Sequence, residues 1–118
     1  MDTGADGADE DDVGIGEEDL LVVFRLSGRG VGSTSEQEAI DRLGDELAEL
    51  VEGAGVGEYD GDEFGAGECT LFFCGPDAGR IMEVLRPVLR RHSLCRGGTF
   101  VRMVRGADGE FERRTDAI

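Results

Sequence analysis

GEYDGDEFGAGECTLFFCGPD, running from Gly57 to Asp77, is the stretch that decides the fold. It sets Glu58, Asp60, Asp62, Glu63 and Glu68 among glycines, then passes into the apolar run CTLFF and ends on Pro76-Asp77. The Gly65-Ala66-Gly67 triplet reads as a turn joining two strands, 56–64 and 68–75. Asp77 follows at the position of a helix N-cap, where a carboxylate accepts a free backbone N–H. The segment is therefore strand, turn, strand, helix start.

Upstream, residues 20–26 (LLVVFRL) form a short apolar, β-rich run with Leu20, Val22, Phe24 and Leu26 on one face. Leu21, Val23 and Arg25 lie on the other, and two mostly apolar faces predict a central strand. The loop GRGVGS (28–33) leads to a helix start at Ser35 with Glu38, a capping box for which Ser33 with Glu36 is a competing register. Ile40, Leu43, Leu47, Leu50, Val51 and Ala54 then recur at helical spacing, opposite Asp41, Arg42, Asp45, Glu46, Glu49 and Glu52. Gly53 and Gly55 supply the stop.

Downstream of Asp77, Ile81, Leu85, Val88 and Leu89 predict a second amphipathic helix, with Met82 at the margin of its stripe. Pro87 lies inside it and removes one helical hydrogen bond, and Arg86, Arg90 and Arg91 suit the negative end of its dipole. After Gly97-Gly98, residues 99–104 (TFVRMV) read as a last strand. The order β-α-β-β-α-β predicts an α+β, ferredoxin-like sandwich: an antiparallel four-stranded sheet with two helices on one face. The first and third strands fall in the centre. The domain spans 19–106, after an acidic arm over 1–18 and before a polar tail over 107–118, in which 110–113 leaves room for an extra edge strand.

At 118 residues the chain suits one domain. No apolar run reaches membrane-spanning length and the N-terminus lacks the pattern of a secretion signal, so the expected location is the cytoplasm. Nine acids and no base occupy 1–19, leaving 18 acids against 12 arginines beyond it. Such an arm is expected to be disordered and solubilising. The net charge of −15 and the absence of lysine fit a halophile or a GC-rich source equally. They argue against nucleic-acid binding, which needs a basic face.

Cys69, Cys74, Cys95 and His92 are the candidate ligands of a zinc site. On one strand Cys69 and Cys74 would stand roughly 16 Å apart, too far for one zinc ion. Their odd spacing also puts them on opposite faces, so no metal or cofactor is expected; a Cys74–Cys95 disulfide stays open. His92 with Cys95 lacks a patterned orienting carboxylate, and no catalytic residue is assigned. The acids of 58–68 do not follow a calcium-loop pattern. On a strand Glu58, Asp60 and Asp62 would line one face, as a charged edge that resists pairing or as a stripe for a basic partner.

Gly57, Glu58, Asp60, Gly61, Gly65, Gly67, Glu68, Gly75, Pro76, Asp77, Ala78, Pro87, Val88 and Leu89 together form a pattern that resembles one shared by small bacterial proteins. The pattern covers about the C-terminal half of the chain, and the Val104-Arg105-Gly106 ending departs from it. The resemblance implies a ferredoxin-like fold and no assigned activity. In size, acidity and topology the chain is also distantly similar to the ribonuclease E inhibitor family. The expectation is a non-enzymatic binding or regulatory module that meets a protein partner through Glu58, Asp60, Asp62 and Glu63. A homodimer through the open sheet face is a second partner expectation. The alternative is a small-ligand module or enzyme with a site on the sheet face near Arg29 and His92.

Overall fold

The run of β-branched and aromatic residues at 20–24 does form a strand, and it becomes the middle of the sheet. The computed structural model describes residues 18–105 and 108–118, so the acidic arm lies outside the described residues except for Glu18. The elements are β1 (Glu18–Arg25), α1 (Thr34–Gly53), β2 (Glu58–Gly65), β3 (Glu68–Gly75), α2 (Ala78–Arg91), a 3₁₀ turn (Ser93–Cys95), β4 (Thr99–Arg105) and β5 (Phe111–Ala117). They make an α+β structure whose sheet has the order β2-β3-β1-β4-β5, antiparallel throughout.

Five strands, not four, make up this sheet. β5 pairs with β4 along its whole length, from Thr99 opposite Ala117 to Arg105 opposite Phe111. It is longer than the 110–113 segment the sequence left room for. FERRTDA shows no apolar alternation, because an edge strand is held through its backbone, and that leaves no hydropathy signal. Its entry turn is set by Asp108, whose Oδ1 accepts the Glu110 N–H at 3.0 Å.

The core lies between one sheet face and the two helices. Leu20, Val22 and Phe24 of β1, Cys69, Leu71 and Phe73 of β3, and Phe100 of β4 meet the buried stripes of α1 and α2. These stripes are Ile40, Leu43, Leu47 and Val51, and Ile81, Leu85, Val88 and Leu89, with Met82 buried beside them rather than marginal. Each large side chain buried there contributes about 1.5–3 kcal/mol, more than any single cap or surface ion pair.

The ends of α1 are set by local chemistry. Its N-cap is Ser33, not Ser35: Ser33 Oγ accepts the Glu36 N–H at 3.1 Å, and Glu36 Oε1 accepts the Ser33 N–H at 2.8 Å. The Ser33 register prevails because it lets the same carboxylate close the preceding loop. Glu36 also takes the Ser27 N–H at 2.9 Å and the Ser27 hydroxyl at 2.7 Å. The Ser33 N–H first, then the Ser27 hydroxyl and N–H, hold the Glu36 carboxyl down at about 2.

At the other end, Gly55 adopts φ +70°. The Gly55 N–H bonds the Glu52 carbonyl at 3.1 Å and the Val56 N–H bonds the Val51 carbonyl at 3.2 Å. This is the Schellman arrangement, completed by the burial of Val51 and Val56 together in the core.

Two further glycines of the opening stretch serve close approach. A Cβ on Gly57 would lie 2.3 Å from the Cys74 carbonyl oxygen, and one on Gly75 would lie 2.3 Å from that of Val56. The backbones touch there, where β2 starts beside the end of β3. Asp77 Oδ1 caps α2 through the Gly79 N–H at 2.9 Å, and Glu18 Oε1 takes the neighbouring Ala78 N–H at 2.8 Å, tying β1 to the helix start. α2 runs unbroken through Pro87. Arg86 and Arg90, expected to serve the helix dipole, reach instead to the end of β5. Arg90 Nε donates to the Ile118 oxygen at 2.8 Å, and Arg86 lies over the Phe100 ring at 5.2 Å.

Two outcomes follow from the ends of α1. Gly55→Ala, which meets no atom within 4 Å, forces an L-residue into the left-handed region and lowers stability by about 1–2 kcal/mol in denaturant melts. In acid, Glu36 has a folded pKa below its ordinary 4.5, so its contribution is complete above pH 4.5 and is lost as pH falls toward 2. The Ser27 and Ser33 amide resonances should therefore titrate together with a midpoint near 2, and not at all in Glu36→Gln.

Candidate functional site

Alternation along β2 would place Glu58, Asp60 and Asp62 on one face, but the strand carries a bulge. Tyr59 pairs with Phe73, and the next paired residue is Gly61, opposite Phe72, which leaves Asp60 as the extra residue. A bulge adds one residue to one strand and so shifts the alternation beyond it. Asp62 thus falls opposite Leu71, on the helix side, while Glu58 opposite Cys74 and Glu63 opposite Thr70 fall on the other face. The structure does not bring the four acids onto one stripe; it divides them.

On the helix side the acids gather around Tyr59. Its ring packs on Phe73 with centroids 5.2 Å apart and planes at 44°. Its hydroxyl makes a long hydrogen bond to Asp62 Oδ2 at 3.5 Å. Burial pushes the phenol pKa up, the Asp62 carboxylate adds to it, and Asp41 of α1 contributes further. The phenol therefore remains a neutral donor between carboxylates of a strand and a helix.

The helix makes room for it. A Cβ on Gly44 would lie 2.8 Å from the Tyr59 hydroxyl oxygen. That explains a glycine in the middle of α1, where alanine would otherwise favour the helix by about 1 kcal/mol. Sequence reasoning missed Tyr59 and gave Asp41 only to a solvated helix face. The signal was Gly44 interrupting good helix formers, together with the lone tyrosine of the chain.

The other candidates separate. His92 Nε2 lies 3.4 Å from Glu46 Oε1, an exposed pairing of α2 with α1 in the helix layer, not on the open sheet face. Arg29 lies in the loop beside Gly67, whose N–H bonds the Gly30 carbonyl at 2.8 Å. Cys69 and Cys95 are in the core, whereas Cys74 pairs with Asp19 and Glu58 on the opposite face. A Cys74–Cys95 disulfide is excluded by that separation. Among the described residues, no group of His, Cys, Asp and Glu converges as a metal site, and no helix is long and apolar enough to cross a membrane. An open hollow of about 350 Å³ at the β2–β3 turn is lined by Glu63, Phe64, Gly65, Ala66, Glu68 and Thr70.

No protein-family model, curated protein or solved structure matches the chain.

Burial raises the Cys69 thiol to about 12, with Asp62 adding to the shift, and raises Cys95 to about 11. Neither is a nucleophile near neutral pH. In the folded protein both should resist a thiol-labelling reagent at pH 8 and react only as fast as the protein unfolds, as peptide mass mapping would show. Because the folded values lie above the ordinary 9, the stability these neutral thiols supply is complete below pH 9 and is lost as pH rises toward 11–12.

Proposed function

We propose that this chain is a non-enzymatic binding module of ferredoxin-like plan, with β5 as an added edge strand. It engages a basic segment of a protein partner through the acidic surface where β2 meets α1. The observation that carries this reading is the Tyr59 cluster. A half-buried aromatic ring whose hydroxyl bonds Asp62, with Asp60 exposed on the adjacent bulge and Asp41 acting on the phenol from α1, offers arginine carboxylates beside a π-system. The sheet order agrees with the ferredoxin-like plan, in which β1 and β3 are central.

Exposed carboxylates beside an aromatic ring offer a guanidinium charge and a π-system at one place, and the acidic field of the chain steers a basic partner toward them. Asp60, Asp62 and Asp41 make the contact in this reading. Glu58 and Glu63 sit around the strand on its other face.

Affinity capture from the native host with two baits, the wild type and Asp60→Arg/Asp62→Arg, tests this. A partner held by the wild type should be released at about 0.5 M salt, where the Debye length is about 4 Å, and should be missing from the variant. A partner retained equally by the folded variant would remove the acidic surface from the interaction.

A further inference from the structure

The face of the sheet away from the helices is an apolar feature that the binding reading leaves unused. Leu21 and Val23 of β1, Phe72 of β3 and Met103 of β4 are half-buried there, and Val101 is buried yet lies outside the helix-side core. Leu21 stands opposite both Phe72 and Val101, so the three form one row across β3, β1 and β4. Among the described residues, both helices pack against the other face.

Charge is sorted across this face. Glu58 and Glu63 flank it on the β2 side. On the β5 side the corresponding position is Arg113, opposite Met103. Registers place Glu58 opposite Cys74, Cys74 opposite Asp19, and Leu20 opposite Arg102, one step from Met103. Glu58, Cys74, Asp19, Met103 and Arg113 therefore belong to one row that runs from an acid at one margin to a base at the other.

We infer that a second copy of this chain covers this face, related by a two-fold axis that lies between the sheets and parallel to β1. Such an axis keeps each residue's position along the strands and exchanges the β2 and β5 sides. Glu58 of each copy then faces Arg113 of the other, Phe72 faces Val101, and Leu21 meets its own counterpart near the axis. An axis running across the strands would lay β2 on β2, with acid against acid. Charge complementarity thus selects the first arrangement.

The size is adequate. Five strands at about 4.8 Å and seven residues at about 3.3 Å give roughly 550 Å² per copy, about 1,100 Å² in all, within reach of a specific interface. Packed sheets lie about 10 Å apart and within about 30° of alignment, which keeps the marginal pairs in range. Repulsion between two acidic chains is screened beyond about 8 Å at physiological salt. The arrangement has one internal cost: Asp19, on β1, faces the Asp19 of the other copy.

Sedimentation equilibrium of the full chain decides this. At micromolar concentration the wild type should sediment at twice 12.6 kDa. Arg113→Glu should raise the dimer dissociation constant about tenfold or more, and Glu58→Arg combined with it should restore it to within about threefold. Asp19→Asn should tighten the dimer, and Leu21→Asp should yield a monomer with an unchanged circular dichroism spectrum. A monomeric wild type overturns the inference. A soluble paramagnetic probe then identifies the true occupant: shielded Leu21 and Val23 methyls point to residues 1–17 of the same chain, and exposed ones to a foreign partner. A dimer in which the double variant fails to recover overturns the two-fold geometry as well. The Asp60 and Asp62 capture experiment is independent of each result, since neither residue lies in this row.

Discussion

The pairing of β1 with β3 is the constraint on which the remaining structure depends. Eight residue pairs from Glu18–Gly75 to Arg25–Glu68 fix one register. That register points Leu20, Val22 and Phe24 to the same side as Cys69, Leu71 and Phe73. A slip of β1 by one residue against β3 would turn Leu21 and Val23 inward and expose Leu20, Val22 and Phe24. The other elements build outward from this pair: β2 and β4 flank it, β5 adds to β4, and the helices cover the face it makes most apolar. The crossovers follow from it too, because strands that neighbour a central antiparallel pair from outside must be reached over the helix side.

Around that pair, small local devices decide where chain segments end and which side chains they present. The Ser33–Glu36 box and the Gly55 Schellman turn set the ends of α1, and Gly44 between them lies against Tyr59 of β2. The β2 bulge then turns Asp62 toward the helix and leaves Glu58 and Glu63 on the far side. Thus one inserted residue converts a uniform acidic stripe into two surfaces of different character. One surrounds a neutral phenol; the other borders an apolar sheet face.

Much of the fold was legible in the residues. The two-sided apolar character of 20–26, the helical spacing from Ile40 to Val51, the strand at 68–75 and the Asp77 cap all correspond to observed elements, because each rests on local periodicity or a local hydrogen bond. β5 was not legible, since FERRTDA is held by backbone pairing and by the Arg86 and Arg90 tethers from α2. The choice of Ser33 over Ser35 depended on Ser27, nine residues from Glu36. Of the expected site residues, each acid is on β2 as read, but their common face was an inference from strict alternation, and a bulge leaves no compositional mark at Asp60.

The sequence by itself determined the first four strands, the two helices and most of the core, because burying period-2 and period-3.6 apolar faces is a local demand on the chain. It also determined the excess of carboxylates over arginines. Only the tertiary structure decided which carboxylates stand together. Tyr59, Asp62 and Gly44 meet because a bulged edge strand and a helix cross at one place. The apolar row of Phe72, Leu21 and Val101 exists only once three strands distant in sequence are in register. Proximity of that kind is set by packing and backbone hydrogen bonds between segments, and those carry no local signal.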